Sequence, residues 1–91
     1  MRTVAGHDGP RIRSIEVDDE LISATLIDGR IISVPLSWSW RLAKATPEQR
    51  RRHRLIGDGE GVHWPDIDED ISVEGMLNGA PAPAPAKGRR R

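Results

Sequence analysis

Three aliphatic runs fall within residues 11–36, and their spacing leaves few arrangements open. "RIRSIEV" (11–17), "LISATLI" (21–27) and "RIISVPL" (30–36) are rich in Ile, Val and Leu, and Asp18-Asp19-Glu20 and Asp28-Gly29 separate them. β-Branched runs bounded by turn residues read as strands, and Asp-Gly between two of them signals a hairpin. The register follows from side-chain alternation. A two-residue loop pairs even positions with odd ones, setting Ala24 opposite Ser33 and Thr25 opposite Ile32, so that both faces are mixed. A three-residue loop, Ile27-Asp28-Gly29, pairs even with even. One face then carries Ile22, Ala24, Leu26, Ile32 and Val34, and the other Ser23, Thr25 and Ser33. The second register predicts a three-stranded antiparallel meander with one buried face and Gly29 in the left-handed region.

Ninety-one residues make one small domain at most. Residues 1–9 and 80–91 read as disordered ends, leaving a single domain over 10–79, a size at which one hydrophobic core is marginal. No Cys is present to staple it, and with three Trp but no Phe or Tyr the core must be aliphatic. A partner or a homodimer is therefore expected to supply some burial. No apolar run is long enough for a membrane span, and no signal-peptide stretch follows Arg2, so a cytoplasmic location is the default expectation.

Beyond the strands, Pro35 should end the third one. "SWSWRLAKA" (37–45) reads as one or two helical turns with Ser37 as N-cap and Trp38 and Leu42 on one face. Thr46, Pro47 and Gln49 announce a short helix with a capping box. "RLIGDGEGVHWP" reads as two short strands around "GDGEG" or as an ordered loop. "DISVEGMLNG" (70–79) reads as a final helix showing Val73 and Leu77 on one face, weakened by Gly75 and stopped by Asn78-Gly79. The fold class is α+β: a three-stranded antiparallel meander, then short helices, with or without a small extra hairpin. "APAPAPA" (80–86) reads as a stiff polyproline-II spacer carrying "KGRRR".

The formal net charge of zero hides segregation. Residues 46–56 hold four Arg and one Glu, residues 57–79 hold seven acids and no Lys or Arg, and residues 80–91 hold one Lys and three Arg. "HWPDIDEDISVEGML" (63–77) is where chemistry would be sought. Asp66, Asp68 and Asp70 fit the first ligand positions of a calcium loop, but Ile71 stands where Gly is needed and Leu77 where Glu is needed. His63 lacks an HExxH partner for a transition metal. Four adjacent carboxylates do not suggest an acid–base pair held in two different environments. Without GxSxG or Cys there is no nucleophile signature. In "GDGEGV" Val62 replaces the last Gly of a dinucleotide loop, and Asp58 and Glu60 would repel phosphate. No catalytic residue, metal ligand or cofactor is implied. Asp68, Glu69 and Asp70 read first as complements to a helix dipole and second as a docking surface.

The stretches "SIEVDDELISATLIDGRIISVPLSW" and "ATPEQRRRHRLIGDGEGVHWPDIDEDISVEGML" resemble domain-of-unknown-function family 2442 over about residues 12–78. The resemblance implies a small α+β protein with no established catalytic residues. Some members carry an added helix–turn–helix segment, and others are encoded beside a small toxin-like protein. This chain leaves no room for a helix–turn–helix domain after residue 79, so partner binding is favoured over direct DNA binding. The expected function is a non-enzymatic interaction module, antitoxin-like or regulatory. Trp38, Trp64, Asp66, Asp68, Glu69 and Asp70 would face a protein partner, such as a small basic toxin-like protein. The alternative is a nucleic-acid-associated regulator gripping phosphates with Arg50, Arg51, Arg52 and Arg54 and the basic tail.

Overall fold

A computed structural model describes residues 9–79. The expectations for residues 1–8, the "APAPAPA" spacer and the basic tail lie outside the described residues. Two three-stranded antiparallel sheets share one core. The first is β1 (Ile12–Val17), β2 (Leu21–Leu26) and β3 (Ile31–Pro35), in that order. A 3-10 turn (Leu36–Trp38), α1 (Trp40–Lys44) and α2 (Pro47–Arg51) then lead to the second sheet, β4 (Arg54–Ile56), β5 (Gly61–Trp64) and β6 (Glu69–Ser72), with α3 (Val73–Asn78) last. The fold is α+β, as the sequence predicts.

The meander adopts the register predicted for a three-residue loop. Ile22 pairs with Val34 and Ala24 with Ile32, and Gly29 at φ 97° closes the loop. Ile22, Ala24, Leu26 and Val34 are buried, while Ser23 and Ser33 meet hydroxyl to hydroxyl at 2.8 Å on the other face. β1 adds a device that alternation does not reveal. Ile12 and Ile15 are three apart yet both buried, and a bulge between Ile12 and Ser14 shifts the pairing by one residue to allow it.

Helix boundaries show one displaced cap. Ser39, not Ser37, caps α1, its Oγ accepting from the Leu42 N–H at 3.1 Å. Trp38 sits in the separate 3-10 turn, and both it and Leu42 pack on the core. The capping box at Thr46 and Gln49 is present in full. α3 starts at Ser72 and stops at Gly79, φ 76°, as expected of a left-handed C-cap. Its buried face is Val73 and Met76, whereas Leu77 is exposed.

The largest departure lies at residues 61–72. Where a helix start was expected at residue 70, the chain makes a β-hairpin: Trp64 pairs with Glu69, His63 with Asp70 and Val62 with Ile71. Pro65 opens the connecting turn, and Asp68 takes φ 55° within it. The period-two pattern is masked because Glu69, a carboxylate, occupies an inward position beside Trp64 and Ile71. Asp68, Glu69 and Asp70 therefore do not complement a helix dipole. "GDGEG" forms the turn between β4 and β5, and its tip docks on β1: a Cβ at Gly59 would lie 2.7 Å from the Ile12 carbonyl oxygen.

Candidate functional surface

The residues singled out in the sequence separate into an interior set and an exposed set. Trp64 is fully buried, and its indole Nε1 donates to the Arg50 carbonyl at 3.0 Å. A ring in that position is a core piece with its polar handle satisfied, not an exposed anchor for a partner. His53 packs near it, ring centroids 5.8 Å apart. Trp38 is half-buried against the same core.

Glu69 is buried too, at 3 % exposure. One carboxylate oxygen accepts from the buried Ser39 hydroxyl. The other accepts from the Asp70 N–H at 3.0 Å and lies 3.7 Å from the Arg41 guanidinium. Because Ser39 also caps α1, Glu69 ties that helix to the second sheet. A buried carboxylate is tolerable only with such partners. Ser39 and Arg41 belong to a stretch read only for helix, so their pairing with Glu69 was not legible from spacing.

Arg50 has the same character. It is 8 % exposed. Its Nε donates to the Leu42 carbonyl at 3.0 Å and its Nη2 to the Ala43 carbonyl at 3.3 Å, satisfying carbonyls at the end of α1. Its Nη1 reaches Asp19 at 3.0 Å, in the β1–β2 turn. Of the expected phosphate-gripping set, Arg50 is therefore held inside. Arg52 bridges Glu48 at 2.8 Å and Asp66 at 3.2 Å. Arg51 and Arg54 are exposed and without an ion pair among the described residues.

The acids of residues 58–74 divide differently. All but Glu69 are exposed. Asp58 meets Arg11 at 3.6 Å, Asp66 meets Arg52, and Asp70 meets His63 Nδ1 at 2.6 Å. Glu60, Asp68 and Glu74 have neither hydrogen bond nor ion pair for their side chains among the described residues. Three of the six exposed acids are thus paired and three are uncompensated.

Two other carboxylates have a fixed chemistry. Asp18 accepts from the N–H groups of Leu21 and Glu20, both at 2.7 Å, and these bonds hold its pKa below the ordinary 3.8. Asp28 is likewise lowered, chiefly by the Arg30 N–H. Both cap turns of the meander. Among the described residues no group of three His, Asp or Glu is placed to hold a metal ion, and no helix is long and apolar enough to cross a membrane. A groove of about 460 Å³ beside β1 and α2 is lined by Glu16, Asp18, Asp19, Pro47, Arg50 and His53. Ser23 also lines it together with His53, and the Ser23 hydroxyl is bonded to that of Ser33.

Against this geometry, known proteins add the following. A family model described as a protein of unknown function, DUF2442, matches residues 12–82. A crystal structure of a protein of unknown function from Rhodospirillum rubrum is similar with a TM-score of 0.72 at 24 % identity, covering 84 % of this chain and 94 % of that one. The solution structure of an uncharacterized protein from Chromobacterium violaceum is similar with a TM-score of 0.69 at 28 % identity, covering 81 % of this chain and 70 % of that one. No curated protein matches the chain.

Proposed function

The chain belongs to the DUF2442 family of proteins of unknown function, and from that premise we propose that it is a non-enzymatic protein-interaction module whose exposed acids between residues 58 and 74 bind a basic protein. The observation that carries this reading is how the two charge blocks are disposed. Half of the basic segment is committed within the chain, Arg50 to the end of α1 and Arg52 to Glu48 and Asp66. The acidic segment keeps Glu60, Asp68 and Glu74 exposed and uncompensated. Complementary potentials steer encounter and set partner choice. An antitoxin-like or regulatory role, covering the basic surface of a small toxin-like protein, is the form this binding takes in our reading.

Nucleic-acid binding is the weaker reading on the same grounds. Only Arg51 and Arg54 of the expected set remain exposed without an ion pair among the described residues, and the acidic face would repel phosphate. Capture from native cells with the tagged full chain tests the proposal. It expects a basic protein in stoichiometric amount that elutes as salt rises. Recovery of the chain without a stoichiometric protein, together with retention on nucleic acid at low salt, contradicts it.

A further inference from the structure

The second sheet ends on an uncovered strand. β4 lies at the edge of the order β4-β5-β6 and pairs only with β5. In the first sheet α2 lies against β1 and α3 against β3. In an antiparallel strand alternate residues turn N–H and C=O away from the neighbour, so β4 offers an unfilled ladder. Its apolar side chains are uncovered as well, Leu55 at 40 % and Ile56 at 37 % exposure. Neither Lys nor Pro blunts the strand; Arg54 alone carries charge.

Charge runs in opposite senses at the two ends of this edge. Arg51 and Arg54 lie at the start, and Asp58 and Glu60 follow the end. A second strand laid antiparallel on such an edge meets opposite sign at both ends. Gly61, opposite Ile56 and Ser72, leaves a dent of about 250 Å³ on the outer face, rimmed by Glu60 and Asp70 beside Ile56. That combination, apolar wall and carboxylate rim, suits the stem and head of an arginine.

We propose that the occupant is a second copy of this chain, paired antiparallel through β4 about a two-fold axis at Leu55. For a three-residue strand, only the register centred on Leu55 pairs all three positions. It sets Leu55 against Leu55 and Arg54 of each copy opposite Ile56 of the other. Opposite residues share a face, so each Arg54 lies along Ile56 and reaches the Glu60 rim of the dent. The contact is isologous and closes at two copies, giving a continuous six-stranded sheet. A short edge buries little area, which places the dimer among weak, concentration-dependent associations. Glu60 is drawn into this contact while Asp68 and Glu74 stay open, so dimerisation leaves two of the three unpaired acids to a basic partner.

Charge exchange tests this on the full 10.1 kDa chain. Sedimentation of the wild type up to roughly 1 mM should show a monomer–dimer equilibrium. Arg54→Glu and Glu60→Arg should each raise the dissociation constant about tenfold, because both symmetric contacts reverse sign together. Mixing the two variants should restore association, since each hetero contact again pairs Arg with Glu. Unchanged circular dichroism keeps the single variants interpretable. Ile31→Lys, at another exposed apolar position, should leave association as it was. A wild type that stays monomeric, a dimer indifferent to both exchanges, a mixture that fails to associate, or a dimer abolished by Ile31→Lys overturns the proposal.

Discussion

Replacing Gly59 by alanine sets a Cβ 2.7 Å from the Ile12 carbonyl oxygen and 3.2 Å from both the Ile12 nitrogen and the Arg11 Cβ. Backbone cannot step aside as a flexible side chain can, so the β4–β5 turn must lift from β1. Gly29 supplies the control, because its φ of 97° nearly equals the 94° of Gly59 while nothing lies within 4 Å of its Cβ position. Alanine in the left-handed region costs about 1–2 kcal/mol, partly offset by about 0.4–1 kcal/mol from a stiffer unfolded chain. Gly29→Ala should therefore destabilise by about 1 kcal/mol. Gly59→Ala carries the same conformational cost plus about 1–3 kcal/mol for overpacking against backbone. The expected gap is about 2 kcal/mol, or roughly 2 M in urea midpoint at an m-value near 1 kcal/mol/M. Urea unfolding followed by tryptophan fluorescence measures it. Equal losses in the two variants would refute the docking of this turn on β1.

Further outcomes follow from the interior charges and the turn carboxylates. Arg50→Ala should cost about 1–3 kcal/mol by removing its bonds to the Leu42 and Ala43 carbonyls, of which Leu42 keeps the Ala45 N–H, whereas exposed Arg51→Ala should stay within about 0.5 kcal/mol; comparable losses in thermal or urea unfolding would contradict the assignment. Glu69→Ala should destabilise by about 2–4 kcal/mol, leaving the buried Ser39 hydroxyl without its acceptor, and a neutral result in the same assay would show Glu69 to be a surface acid. Carboxyl NMR titration should place the midpoints of Asp18 and Asp28 below 3.8. Since these folded values are depressed, their contribution to stability is complete above the unfolded value and is lost as pH falls through the folded one. Midpoints at or above 3.8 would deny the backbone bonds assigned to both turns.

The meander was legible to the level of register because one position decided it. Alternation in β2 and β3 fits a single loop length, and Asp28-Gly29 supplies the backbone it needs. The bulge in β1 was not, because Ile12 and Ile15 share a face only through a shift that alternation cannot report. The Thr46 capping box was legible because its chemistry is local. Glu69 and Arg50 were not, because their partners are distant in sequence: Ser39 and Arg41 for one, Leu42, Ala43 and Asp19 for the other. Each sits in a run of like residues, Asp68-Glu69-Asp70 and Arg50-Arg51-Arg52, where neighbours look equivalent. Strand alternation turns Glu69 inward and Asp70 outward, and helical rotation separates Arg50 from Arg51. The hairpin at 61–72 escaped notice for the same reason, since its inward carboxylate breaks the apolar alternation by which strands are recognised.

The central claim is that one acid of the 58–74 block holds the fold while the exposed remainder binds a basic protein. The most direct measurement compares partner capture by the full wild-type chain with capture by the variant Glu60→Gln, Asp68→Asn, Glu74→Gln. All three side chains are exposed and unpaired among the described residues, so unfolding free energies should agree within about 0.5 kcal/mol. The account predicts that the variant folds as the wild type does and loses the basic partner; a variant that retains it in full would contradict the account.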